Sequence, residues 1–383
     1  MSSIPAAQPA KPDIRSQTYD ELKVVMAELG QPGYRLDQLL NWLYRHHTSS
    51  WDKMVNLSAS LRASLGERFA LYPLAEVRRQ GSSDVTQKFL WKLSDGAMVE
   101  SVLIPANPSL YGEKSDRHTL CISTQVGCAY GCRFCASGLD GWKRNLRVEE
   151  IVGQVSAIEA QGLLSPAKDE AGNPIKSDRV VNNIVVMGMG EPMANYDNLM
   201  KALRIINAPW GLNIGARKIT VSTSGLVPQI KKFADEPEQF RLAISLHGAT
   251  DEVRDRIMPV NKKYPVNLLT DACEYYQNRK ARMITLEYIL IAGVNDDIAE
   301  VRPLARMAKR LNAKVNLIPY NQVDGLTWNR PSEERQLAFA EGLRSAGTLV
   351  TLRLEKGHDI AAACGQLRLK TEKEMADSPL TTA

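Results

Sequence analysis

The run Thr119-Leu120-Cys121-Ile122-Ser123-Thr124-Gln125-Val126-Gly127-Cys128-Ala129-Tyr130-Gly131-Cys132-Arg133-Phe134-Cys135 decides how the rest of the chain is read. Its opening, about 119 to 124, is rich in apolar and β-branched residues, as a short buried strand is. The remainder is a loop carrying three thiols at the spacing C-x3-C-x2-C. A cubane [4Fe-4S] cluster takes one thiolate per iron, so three cysteines on a tight loop would hold three irons and leave the fourth open to a chelating ligand. A zinc site would want a fourth Cys or His, commonly in a second C-x2-C or an H-x3-5-H pair, and Cys121 could fill that place. The short, asymmetric triplet leading into a βα series fits the cluster better. Four of the six cysteines fall within residues 121–135, which suggests metal before disulfide, while Cys273 and Cys364 stand alone.

Downstream of this run, short β-rich segments alternate with helical ones, the signature of βα units on a parallel sheet. Strands are expected near 119–124, 183–187, 218–222, 241–245, 283–290 and 314–319, with a further one near 349–354. Six such units make an incomplete barrel. In βα barrels chemistry collects at the C-terminal ends of the strands, and Gly190-Glu191, Ser222, Ser245 to His247 and Asn321 sit there. Upstream, Phe89, Trp91 and Leu93 alternate and Asp95-Gly96 supplies a hairpin turn, with Glu100 on the second strand. Further upstream, Thr18 and Glu21 have capping-box spacing, and Leu22, Val25, Met26 and Leu29 then Leu36, Leu39, Leu40 and Leu43 recur at helical spacing. The expected organisation is therefore a disordered tail at 1–16, a helical accessory domain at 17–73, a β-hairpin extension at 74–106, the barrel core at 107–370 and a flexible tail at 371–383. The fold class is α/β.

Composition is that of an ordinary globular chain, with 383 residues, 44% of them hydrophobic, and a net charge of +5. No apolar run approaches the ~18 to 20 residues needed to cross a bilayer, and the opening MSSIPAAQPAKPDIR has Pro and charge where a signal peptide has an apolar core. The cytoplasm is the expected compartment. The mild basicity is compatible with a polyanionic partner but is equally common without one.

Several runs, in order, carry a resemblance: TQVGCAYGCRFC (124–135), GWKRNLRVEEIVGQV (141–155), MGMGEP (187–192), STSG (222–225), ISLHGATDEVRDRIMPVNKKYPV (244–266), IPYN (318–321) and AAACGQL (361–367). The three-cysteine loop resembles the radical S-adenosylmethionine superfamily, whose fold is a partial (βα)6 barrel. The whole series resembles the adenosine C2 methyltransferases of 23S ribosomal RNA, the RlmN type. That resemblance implies one [4Fe-4S] cluster held by Cys128, Cys132 and Cys135, and two S-adenosylmethionine molecules per turnover. It implies cofactor contacts at Gly190, Glu191, Ser222, Ser245, Leu246, His247 and Asn321. Cys364 would be the cysteine that is first methylated, Cys121 the one that resolves the protein-RNA adduct by forming a disulfide, and Glu100 the proton acceptor. The substrate would be adenosine 2503 of 23S ribosomal RNA, with adenosine 37 of transfer RNAs as a possible second, and a flavodoxin-like system would donate electrons to a monomeric enzyme.

A radical route suits this chemistry, because adenine C2 is electron-poor and cannot attack a sulfonium methyl group as a nitrogen or thiolate can. Without the resemblance, Cys364 and Cys121 read as buried structural cysteines, Glu100 as a surface carboxylate, and serines or an asparagine at strand ends as caps. Cys273, in an amphipathic stretch, reads as core. Lys143, Arg144 and Arg147 could contact RNA or form a solvated face. Three readings remain beside the first: the sister group that methylates adenine C8 with the same cysteines, a radical enzyme acting on a protein or small molecule, and a zinc-stabilised RNA-binding protein.

Overall fold

The computed structural model describes residues 11–81, 86–105, 118–164, 179–323, 325–353 and 366–377. The series expected from the alternating pattern is present as β4 (His118–Cys121), β7 (Asn183–Val186), β8 (Ile219–Thr223), β9 (Arg241–Ser245), β10 (Thr285–Leu290), β11 (Lys314–Pro319) and β12 (Val350–Leu352). These pair in parallel in that order. Helices α4 (Val148–Leu164), α5 (Tyr196–Asn207), α6 (Val227–Asp235), α7 (Asp251–Ile257), α8 (Val266–Lys280), α9 (Val301–Arg310) and α10 (Glu333–Ser345) fill the crossovers.

Alternation along the strands explains the hollow centre. On β11, Val315 and Leu317 face outward under the helices and are fully buried, whereas Asn316 and Ile318 face inward and keep partial exposure. On β10, Leu286, Tyr288 and Leu290 take the outer side, with Glu287 and Ile289 on the inner one. The apolar contacts are therefore made sheet to helix. Polar residues such as Glu287 and Asn316 alternate with apolar ones such as Ile289 and Ile318 on the inside, and a cavity is left at the C-terminal strand ends.

Three antiparallel strands extend the sheet at its first edge: β1 (Ala75–Gly81), β2 (Gln87–Lys92) and β3 (Met98–Pro105), in the order β1-β2-β3-β4. The hairpin turns at Asp95-Gly96, where Gly96 takes φ +86°. The outer strand β1 is an addition to the expected hairpin. Its sequence AEVRRQG is mostly charged and half exposed, so no alternation announced it. A separate two-stranded ribbon, β5 (Gln125–Gly127) with β6 (Trp142–Asn145), was also unannounced.

The helical accessory module contains α1 (Tyr19–Glu28), α2 (Tyr34–Tyr44) and α3 (Ala59–Arg68). The capping box is formed: Glu21 N donates to Thr18 Oγ1 at 3.3 Å and Thr18 N to the Glu21 carboxylate at 2.6 Å. The described part of the expected disordered tail is packed instead. Ile14 is fully buried, its N–H bonds Ala70 O at 3.1 Å, and Arg15 meets Asp13 in a buried pair at 2.6 Å. A buried isoleucine, a buried ion pair and backbone bonds to 70–72 tie down a segment whose composition reads as loose. The C-terminal tail needs the same correction, because α11 spans Gln366–Asp377. Leu367 packs on Leu90 and Met98, Thr371 is buried, and Arg78 reaches Glu374 at 2.9 Å.

Candidate active site

The three-cysteine loop leaves β5 and returns through β6, and its neck is closed by backbone contact. Cys128 N donates to Gly141 O at 3.0 Å, and Gly127, at φ +74°, lies so close to the opposite arm that a Cβ there would stand 1.8 Å from Gly141 O. Only glycine fits such a crossing. Within the loop, Cys135 N bonds Cys132 O at 3.1 Å, and Arg133 N bonds Ile257 O, at the end of α7, at 3.0 Å. Cys128, Cys132 and Cys135 all open onto one cavity of about 340 Å³. Burial, with mutual repulsion and Glu191 nearby, pushes the Cys128 thiol up to about 12 and the Cys132 thiol well above its ordinary value. Metal coordination reverses that penalty by deprotonating the thiols outright.

The opposite wall comes from the strand ends. After β7 the backbone passes close against the segment after β4: a Cβ on Gly188 would meet Ile122 O at 2.7 Å, and one on Gly190 would meet Gln125 Cβ at 2.5 Å. This close approach sets Glu191 on the wall. Its carboxylate accepts from Met193 N at 3.0 Å and from Ser224 N at 2.7 Å, while burial pushes its pKa up against those bonds. Ser222 and Ser245 place their hydroxyls 3.2 Å apart. His247 takes φ +55°, and its Nδ1 accepts from Ile289 N at 3.0 Å, which puts the proton of the neutral ring on Nε2. Burial, with the Arg254 charge adding to it, lowers this histidine to about 3, so it is neutral at physiological pH. Its ring meets Phe134 of the cysteine loop edge-on at 4.8 Å. Asn321 completes the wall.

Nine of the expected residues thus line one cavity: Cys128, Cys132, Cys135, Gly190, Glu191, Ser222, Ser245, His247 and Asn321. Leu246 is fully buried behind it and contributes its backbone, the carbonyl accepting from Arg254. Glu100 and Cys121 are off the cavity wall. Strand pairing sets Val102 opposite Cys121, so Glu100, two residues away on β3, projects from the same sheet face as Cys121. Glu100 is no surface carboxylate, being 2% exposed, 3.3 Å from Lys88 Nζ and bonded by Arg368 N at 2.7 Å. Cys364 lies outside the described residues. Cys273 is buried in α8.

The basic run after the loop is largely engaged within the chain. Arg144 is held between Asp95 at 2.7 Å and Glu150 at 2.8 Å, and Arg147 binds Glu149 and Glu150. Lys143, half exposed, pairs with Asp140 at 2.8 Å. The residue most plainly missed by sequence reasoning is Arg254, fully buried beneath the cavity. In the run Asp-Glu-Val-Arg-Asp an arginine reads as a solvated helix face, and its only flag is the pair of glycines, Gly225 and Gly248, that make room for it.

The donor set can be tested against the cluster. A loop offering only thiolates selects iron-sulfur or zinc. Among the described residues no three His, Cys, Asp or Glu side chains close on a single ion. Three thiols spread along one cavity wall suit a cubane, with each on its own iron. A carboxylate, hydroxyls and a neutral imidazole face them, as a cofactor with an ammonium, a ribose and a purine requires.

Comparison with known proteins agrees with this geometry. Residues 13–71 match the ribosomal RNA large subunit methyltransferase N-terminal domain and residues 175–304 the radical SAM superfamily. The chain is 54% identical, over 96% of both sequences, to a "Probable dual-specificity RNA methyltransferase RlmN 3" of Opitutus terrae. It is 52% identical to a "Probable dual-specificity RNA methyltransferase RlmN" of Akkermansia muciniphila, over 96% of this chain and 98% of that one. The crystal structure of a radical SAM methyltransferase from Sphaerobacter thermophilus superposes with a TM-score of 0.83 at 43% identity, covering 93% of this chain and 98% of that one. With this sequence likeness running through the accessory module and the barrel alike, the chain belongs to the RlmN family of radical S-adenosylmethionine RNA methyltransferases.

Proposed function

We propose that this protein methylates C2 of an adenosine in RNA, with adenosine 2503 of 23S ribosomal RNA as the main target and adenosine 37 of transfer RNA as a second. The observation that carries the reading is the convergence of the clamped three-thiol loop with Glu191, Ser222, Ser245, His247 and Asn321 on one cavity. The relatives named dual-specificity RNA methyltransferases support it. Cys128, Cys132 and Cys135 would hold one [4Fe-4S] cluster, and the Glu191 carboxylate would face the ammonium of S-adenosylmethionine. When bound, these groups supply a one-electron cleavage that yields a carbon radical able to take hydrogen from an unactivated methyl group.

The chain's own residues would do the rest. Cys364 would carry the methyl carbon, Glu100 would accept a proton, and Cys121 would release the product by forming a disulfide with Cys364. Each turnover would use two S-adenosylmethionine molecules, on a monomer reduced by a low-potential donor such as a flavodoxin. RNA affinity would draw on cations at the seam between module and barrel. Arg45 reaches Pro209 O there at 3.3 Å, and Arg179 reaches Leu212 O and Asn213 O at 2.9 and 2.8 Å. The phosphates of a polyanion would pair with those two arginines. The target base must leave its stack to enter the cavity.

The test is anaerobic incubation of reconstituted protein with unmodified 23S RNA, reductant and S-adenosylmethionine, then nucleoside mass spectrometry. 2-Methyladenosine is the expected product; 8-methyladenosine would assign the sister chemistry, and neither product with an intact cluster would overturn the substrate. Cys364→Ala should abolish turnover and keep the cluster, and undiminished methylation by that variant would refute the cysteine relay.

A further inference from the structure

Two carboxylates line the cavity among the described residues, and they are held differently. Glu191 has both oxygens engaged by backbone N–H groups, Oε1 by Met193 N and Oε2 by Ser224 N. Glu287 is 7% exposed and has only Oε2 engaged, by Asn316 Nδ2 at 2.7 Å. Its Oε1 has no hydrogen-bond partner among the described residues. Burial pushes its pKa up, and although the charges of Arg353 and Lys314 act against this, neither forms an ion pair with it. A buried carboxylate oxygen without a donor is costly, and a donor brought by a guest removes that cost.

Strand pairing fixes where this side chain stands. In the ladder Glu287 lies opposite Ser245 on β9 and Asn316 on β11. The end of β9 is pinned over it: Leu246 N and His247 N both donate to Glu287 O, at 3.0 and 3.2 Å, and Ile289 N donates back to His247 Nδ1 at 3.0 Å. Ser245 in turn holds its hydroxyl 3.2 Å from that of Ser222 on β8. Ser222, Ser245, Glu287 and Asn316 therefore form a polar belt on the inner face of four neighbouring strands, β8 to β11, spaced about 4.8 Å apart.

The belt lies between the two ends of the site, Glu191 after β7 and Asn321 after β11. A cofactor whose ammonium faces Glu191 and whose purine reaches toward Asn321 has its ribose over the strands between, and the ribose is the part of it that offers two adjacent hydroxyl donors. We infer that Glu287, its carboxylate set by Asn316, is a specificity residue that accepts a hydrogen bond from a ribose hydroxyl of S-adenosylmethionine. This rests on the proposed function, in which that cofactor fills the cavity. A hydroxyl bonded to a carboxylate in a water-poor site makes a short, strong bond, and an analogue lacking the hydroxyl leaves the oxygen without a donor.

The test is isothermal titration calorimetry of anaerobically reconstituted holoenzyme, without reductant, against four probes: S-adenosylhomocysteine, its 2'-deoxy and 3'-deoxy forms, and sinefungin, which carries an ammonium in place of the sulfonium. Glu287→Gln should weaken S-adenosylhomocysteine and sinefungin alike, about tenfold, while leaving one deoxy form within about twofold of its wild-type affinity. Asn316→Ala keeps the carboxylate but removes its anchor, and should weaken S-adenosylhomocysteine about threefold with no effect on that same deoxy form, a result that stands even if Glu287→Gln folds poorly. Losses equal across S-adenosylhomocysteine and both deoxy forms, or no loss at all, would make Glu287 a purely structural acid and overturn the inference. A loss confined to sinefungin would assign the carboxylate to the sulfonium and overturn it equally. A wild type that binds none of the four would remove the cofactor reading of the cavity itself.

Discussion

Buried charge is handled in two different ways on the two sides of β4. On the antiparallel ledge of β1 to β3 and the elements packed against it, several charges among the described residues that leave water meet their opposites within the chain. Lys88 faces Glu100, Arg144 lies between Asp95 and Glu150, and Arg368 reaches both Asp140 and Glu372. At the cavity, Glu191 is held by backbone N–H groups, Glu287 by Asn316 and Arg254 by neutral oxygens. Closed pairs hold the ledge together. Charges met only by dipoles keep their field for a guest, which is how a site binds ions it does not itself supply.

The sharpest way to break this contrast is Cys132→Ala. Iron and acid-labile sulfide in the reconstituted protein should fall from about four of each per chain to near zero, with circular dichroism unchanged. Retention of a full cluster would show that the cavity side takes its guest by other ligands. Next in size is the ledge: Lys88→Met removes the cation facing a buried carboxylate and should cost about 3 to 5 kcal/mol in denaturant unfolding. A loss under about 1 kcal/mol would mean that the Lys88–Glu100 pair is dispensable.

Acid should find the cavity side before the ledge. His247 is neutral and buried, with a folded pKa of about 3 against 6.5 unfolded. The unfolded chain therefore takes up this proton first as pH falls, so stability is full above about 6.5 and declines by a few kcal/mol toward pH 3. Burial pushes the Asp95 carboxyl up, but its Arg144 bonds and charge outweigh this and hold it below the usual carboxylate range. Its share of stability is present above its unfolded pKa and goes only as pH drops through the lower folded value. Urea titrations at pH 7, 5.5 and 4.5 should show a slope that His247→Gln flattens; an identical slope in that variant would rule out His247 as its source. The smallest effect belongs to the module: Thr18→Ala removes one half of the capping box and should cost about 1 kcal/mol with cluster content unaltered.

How much of this was legible depends on where the pattern lies. The parallel strands could be read because their outer faces bury Val, Ile and Leu in regular alternation. β1 could not, since a half-exposed edge strand spelled AEVRRQG satisfies no apolar period. The tail at Thr371-Glu372-Lys373-Glu374 looks solvated, yet it belongs to a helix docked through Leu367 and Arg78. The cysteines, Glu191 and the serines were visible as motifs. Arg254 was not, because its burial is decided by two glycines distant in sequence and by the carbonyls of other strand ends.

The neck at Gly127 has a consequence for how the protein matures. The stretch from Cys128 to Gly141 is a closed loop whose ends are tied by backbone contact that uses no thiol. Closing a free loop of that length would cost on the order of 2 kcal/mol of chain entropy. The glycine crossing at the neck meets part of that cost with the chain's own backbone bonds, so the thiolates need hold only the tip of the loop around a cluster.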